Sequence, residues 1–192
     1  MEKSQRSNVA AETGTTLVEV LIATVVLLTG VLAMAQMFII STKNNVTSRN
    51  DTLATVLAQQ KLEQLRSLAY GFDMAGLPVS DINTDTSVSP PAADGGTGLQ
   101  PSPGTALQEN TAGFVDHLDR NGAIVGNAVA APNSAVYTRR WSVEPLPTNP
   151  NNTLILQVLV TPLRDRGAAD QGNVARLQGE ARVMTIKTRK AQ

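Results

Sequence analysis

The sequence predicts an α+β protein. One long N-terminal helix, transmembrane in its first half and amphipathic in its second, should pack on a small antiparallel sheet of three or four strands, with a long irregular loop between helix and sheet. Three observations carry this reading. No Gly or Pro interrupts the chain between Val31 and Ala69, so a helix can run through that whole span. Residues 71–113 are dense in Pro, Gly, Asp, Ser and Thr. Beyond them come short alternating or apolar runs bounded by turn residues, which read as strands. A helix followed by a group of strands is the α+β order.

Composition narrows the function classes. The 192 residues are 42% hydrophobic and 17% charged with a formal net charge of zero, which gives no support for nucleic-acid binding. There is no cysteine, so thiol catalysis, a Cys-ligated metal and disulfides are excluded. The length suits one domain plus an appendage.

Residues 1–14 form a short polar leader in which Lys3 and Arg6 stand against Glu2 and Glu12. Counting basic residues only, they favour a cytoplasmic N-terminus. Residues 15–40 follow as an apolar segment. From Val20 to Ile40 only Gln36 is strongly polar, and about 20 such residues cross a bilayer as a helix. A buried core helix fits poorly, because the run is apolar on all sides rather than one. A secretory signal peptide also fits poorly, since its apolar region spans only about 7–15 residues, and here the chain carries on as helix. Residues 41–69 make the amphipathic half. Leu53, Leu57, Leu65 and Leu68 recur near helical spacing, with Ala54, Val56 and Leu62 widening the face. Tyr70-Gly71 is the expected stop. Gly30 lies in the apolar segment, where a small residue suits close helix packing.

Residues 70–113, with "VSPPAADGGTGLQPSPG", read as a flexible loop without helix or strand. Residues 114–192 should supply the sheet. Residues 114–119 and 123–126 flank Asn121-Gly122 as a hairpin. "VYTRRWSVEPLP" follows, with Tyr137, Arg139, Trp141 and Val143 on one face and Thr138, Arg140 and Ser142 on the other. "TLILQVLVTP" is apolar on both faces except Gln157 and should be central. A last strand carries Ala181, Val183 and Thr185 in alternation with Arg182, Met184 and Ile186.

Chemistry is sparse. Asp116, Asp119 and Asn121 lack the spacing of a calcium loop, and turn chemistry accounts for Asn121. His117, the only histidine, reads as a strand surface residue. Ser134 has no nucleophile-elbow glycines around it. Arg139 and Arg140 beside Trp141 read either as an interaction patch or as solvated residues with long stems over apolar surface. Lys187, Arg189 and Lys190 read as a solvated tail. No metal, no cofactor, no small-molecule substrate and no enzymatic activity are expected.

The one polar anomaly is Glu19, an acid near the start of the apolar run. Gly14-Thr15-Thr16-Leu17-Val18-Glu19 and the following apolar helix resemble the prepilin signature of type IV pilins and type II secretion pseudopilins. The match lies at Gly14, Thr16, Leu17 and Glu19, and departs at Thr15, where the family commonly has phenylalanine. The resemblance implies a type IV pilin-like fold, cleavage after Gly14 by a prepilin peptidase, and N-methylation of Thr15. It also implies that Glu19 pairs with the free α-amine of a neighbouring subunit during filament assembly. Read from the residues alone, Glu19 is either an intramembrane acid with a functional partner or an interfacial residue reaching the headgroups. "LATVLAQQKLEQLRSLAYG" and "LLTGVLAMAQMF" further resemble PilV-type minor pilins and the related I-type minor pseudopilins. The implied protein is a minor subunit of a bacterial type IV pilus. Its partners would be prepilin peptidase, major and minor pilin subunits and the inner membrane, where it waits with its domain in the periplasm before filament assembly. A minor pseudopilin and an uncleaved, membrane-anchored periplasmic binding module are the alternatives.

Overall fold

The computed structural model describes residues 16–82, 97–163 and 179–190. Among the described residues a single helix, α1 (Leu17–Ser67), precedes seven strands: β1 (Tyr70–Phe72), β2 (Pro78–Ser80), β3 (Val115–Leu118), β4 (Ile124–Gly126), β5 (Tyr137–Pro145), β6 (Thr153–Pro162) and β7 (Ala181–Thr188). The chain divides into two compact units, residues 1–45 and 46–192, with the boundary inside α1.

In the first unit every described residue is exposed, including Leu17 at 82% and Phe38 at 76%. Apolar residues circle this part of α1 completely, so no single face can be buried against a domain. Its mid-segment threonine hydroxyls bond within the helix: Thr24 Oγ1 donates to the Leu21 carbonyl at 2.8 Å and Thr29 Oγ1 to the Val26 carbonyl at 2.9 Å. Such back-bonding leaves neither of these two donors in need of water. By length and composition the segment can span a membrane.

The second unit begins where α1 becomes one-sided. Ala54, Leu57, Ala58, Lys61, Leu62 and Leu65 are buried at helical spacing. Leu53 is partly buried against the same core, whereas Val56, expected on the apolar face, is 54% exposed. Lys61 takes the inward position that the hydrophobic pattern did not mark.

The sheet has five antiparallel strands in the order β4-β3-β5-β6-β7, more than the three or four expected. Strands β5, β6 and β7 meander, but β5 returns to pair with β3 rather than β4. The expected hairpin forms as β3 and β4. Its loop is set by Asp119, whose Oδ1 accepts the Asn121 and Ala123 amides at 2.8 and 2.9 Å. Gly122 takes φ +85°, and a Cβ there would lie 2.7 Å from Leu57 Cδ2. Glycine therefore lets the turn touch the helix.

Strand β6 has the bounds read from the sequence and lies inside the sheet, but β5 is the middle strand. The residues of β5 are buried on both faces from Tyr137 to Val143. Trp141 and Val143 join the core with α1. The opposite face is covered by the chain after residue 97. There the Ser102 amide donates to the Val143 carbonyl at 2.9 Å, and Asn110 Oδ1 accepts from Arg140 Nε at 2.9 Å. Leu107 is buried in that stretch, while its Leu99 and Ala106 join the core with α1. The region read as an uninterrupted flexible loop thus holds a two-stranded sheet, β1 with β2, and a packed cover over β5. Residues 83–96 lie outside the described residues.

Candidate functional site

Of the residues singled out at the N-terminus, Gly14 and Thr15 lie outside the described residues. Thr16, Leu17 and Glu19 stand at the start of α1. Thr16 precedes the first helical residue and Glu19 follows three later, the spacing of a capping box. The geometry is reciprocal. Glu19 Oε2 accepts the Thr16 amide at 2.9 Å and its hydroxyl at 3.2 Å, while the Glu19 amide donates to Thr16 Oγ1 at 3.3 Å. Helix N-termini leave up to four amides without helical partners, and here two of them are satisfied by the pair. The negative charge also sits at the positive end of the helix dipole. The sequence pattern Thr-x-x-Glu was visible from the start, but the prepilin-like signature occupies the same residues. Leu17 is exposed and makes no contact that fixes a role for it.

The second constellation lies deep in the second unit and was not anticipated. Arg139 of β5 holds Asp116 of β3 in a bidentate pair, Nε to Oδ1 at 2.9 Å and Nη2 to Oδ2 at 2.8 Å. Arg139 Nη1 donates to the Leu57 carbonyl of α1 at 3.0 Å. Lys61 of α1 places Nζ 3.7 Å from Asp116 Oδ2 and 3.7 Å above the centroid of the Trp141 ring. None of the three charged side chains is more than 4% exposed. Burial pulls Lys61 from 10.5 down to about 8, with Asp116 opposing that change and Arg139 adding to it. The indole Nε1 of Trp141 and the Ser142 hydroxyl are buried with no partner among the described residues.

These contacts correct two expectations. Arg139 and Arg140, read as a surface patch or solvated residues, are buried, because the sheet is covered on both faces. His117, read as a surface residue, is fully buried. Its Nε2 lies 2.9 Å from the Ala128 carbonyl and its Nδ1 3.2 Å from Thr138 Oγ1. A carbonyl can only accept, so Nε2 carries a proton, and in the neutral ring Nδ1 accepts from the threonine. Asp116, for which the sequence pattern showed no partner, is the charge partner of Arg139. No cluster of metal-ligating residues occurs among the described residues.

The C-terminal cations are also engaged. Lys187 Nζ donates to the carbonyls of Arg66 and Leu68 at 2.5 and 2.7 Å, satisfying the end of α1. Burial, with Lys190 and Arg66 nearby, pulls Lys187 below its ordinary value. The Arg189 guanidinium lies 4.0 Å over the Tyr70 ring and donates to the carbonyls of Gly71 and Val79 at 3.0 and 2.9 Å. A groove of about 810 Å³ runs beside these contacts, but its Lys187 is already spent on the helix end.

No family model, curated protein or solved structure matches this chain.

Proposed function

We propose that the chain is a minor pilin subunit of a bacterial type IV pilus, a structural and assembly protein rather than an enzyme. The observation that carries this reading is a register. Gly14 and Thr16 stand directly ahead of, and Leu17 and Glu19 open, an apolar helix exposed on every side that runs on without a break into an amphipathic half carrying the sheet. A helix of this kind requires hydrocarbon or other apolar helices around it, and a bilayer followed by a filament core supplies both in turn. On this reading a prepilin peptidase cuts after Gly14, Thr15 becomes the methylated N-terminus, and Glu19 meets a neighbouring subunit's amine. Intact mass of the purified chain tests it: a mature protein starting at Thr15, recovered in sheared filaments below the amount of a major subunit, is the expected result. Recovery with a secretion pseudopilus instead would assign it to the sister class.

One observation favours a second reading. The capping box gives Glu19 a task inside its own chain, which an uncleaved, membrane-anchored periplasmic binding module would use equally well. A mass that retains Met1 would select that reading.

A further inference from the structure

A sheet pairs its backbone everywhere except at its two edges, where alternate amides and carbonyls point outward. One edge of the five-stranded sheet is β4, with three residues. The other is β7, with eight. Among the described residues the backbone of β7 bonds only to β6, and the chain reaches β1 only past the end of the strand, where the Lys190 amide donates to the Tyr70 carbonyl at 3.1 Å.

The groove of about 810 Å³ lies beside the last part of this edge. Its lining comes from the end of α1, from β1 and β2, and from Ile186, Lys187 and Thr188 of β7, and none comes from β6. It therefore opens on the side of β7 that β6 leaves free. Met184 and Ile186 are 65% and 59% exposed, and Phe72 and Val79 in the neighbouring two-stranded sheet are exposed as well. Apolar side chains at alternate positions of an open edge are what an added strand packs against.

Charge narrows the choice of partner. From Ala181 to Lys190 the chain carries Arg182, Lys187, Arg189 and Lys190 and no acid. Three of these cations bond neutral acceptors: Arg182 the side chain of Gln157, Lys187 the carbonyls of Arg66 and Leu68, and Arg189 those of Asn151, Gly71 and Val79. None of the four forms an ion pair among the described residues. Burial first, then Lys190 and Arg66, lower the proton affinity of Lys187, against an opposing pull from Asp81. A second copy of β7 would set the same cations beside these, which disfavours self-pairing. A strand that bears carboxylates meets the opposite sign.

We propose that the free edge of β7 is a strand-addition site for an extended acidic segment of a partner protein, with apolar side chains alternating along it. The outward amides and carbonyls of β7 hold the segment, Met184 and Ile186 receive its apolar side chains, and Arg182 and Lys190 meet its carboxylates. The site lies wholly in the second unit, so it stands apart from the pilin reading and from cleavage after Gly14.

The test uses the full chain in a neutral detergent and two labelled decapeptides, one alternating valine with glutamate and the other valine with lysine. Fluorescence anisotropy measures binding, and hydrogen exchange locates it. The glutamate peptide should bind about tenfold more tightly than the lysine peptide or better. It should also slow exchange in β7 while β5 stays as it was. Arg182→Glu combined with Lys190→Glu, both at exposed positions, should weaken the glutamate peptide by about tenfold. The exchange measurement on the wild type stands without that variant. Glutamate-peptide binding with no added protection in β7 would reduce the effect to surface charge and overturn the proposal. No binding, or equal binding of the two peptides, would overturn it too. Protection of β7 that grows with protein concentration in the absence of peptide would give the edge to a second copy and count equally against it.

Discussion

Glu19 and Asp116 are both acids at seams, yet their surroundings set opposite expectations for their loss. Glu19 is exposed and its cap is local, so Glu19→Ala should cost the helix start only about 0.5–2 kcal/mol. Glu19→Gln keeps an oxygen for the Thr16 amide and removes only the charge. If pairing with a neighbour's amine is the larger task, both variants should fall similarly in filament incorporation while the domain melts unchanged. Incorporation retained in Glu19→Gln but lost in Glu19→Ala would reassign the residue to capping. Asp116 is buried and holds Arg139 through both of its oxygens. Asp116→Asn takes the anion out of that buried pair, and urea unfolding should register a loss of about 3–5 kcal/mol.

The elements differ in how openly the sequence announces them. Strand β6 and the second half of α1 were legible because apolar residues repeat at the periods those structures require. Lys61, Arg139 and His117 were not, since a charged or polar side chain at an inward position is indistinguishable by type from one at the surface. Only its partner reveals it, and Asp116 lies 23 residues from Arg139. The β1–β2 pair was hidden by its own composition. Three-residue strands of Tyr-Gly-Phe and Pro-Val-Ser carry too little pattern to stand out from a loop, and they are held by Arg189 from far along the chain. The hairpin turn was readable through Asn121-Gly122, but its contact with α1 was not. Gly122→Ala must place a side chain at positive φ and against Leu57 at once, and should cost about 1–3 kcal/mol by denaturant unfolding. If the variant is as stable as wild type, the turn does not press on the helix as described.

For the molecule as a whole, the candidate site divides in the same way. The N-terminal pattern stands out in the sequence because its residues adjoin one another, whereas the buried contacts of Lys61, Asp116 and Arg139 draw on three elements and had no sequence signal of their own. The C-terminal cations show the cost of judging by neighbours in sequence alone. Lys187→Met should leave the carbonyls of Arg66 and Leu68 without that donor, and hydrogen exchange at the last turn of α1 should speed up while β5 and β6 stay protected. Unchanged exchange would mean that water serves those carbonyls as well as the lysine does.

The reach of Lys187 also has a consequence in time. Its contact with Arg66 spans 121 residues. A ribosome adding about 5–20 residues per second needs on the order of 6–24 s to deliver the lysine after the helix end has been made. Once the end of α1 has left the tunnel, its carbonyls wait for their partner until Lys187 follows. A nascent chain halted before Lys187 should therefore offer a protease the stretch around Arg66, and a completed one should not.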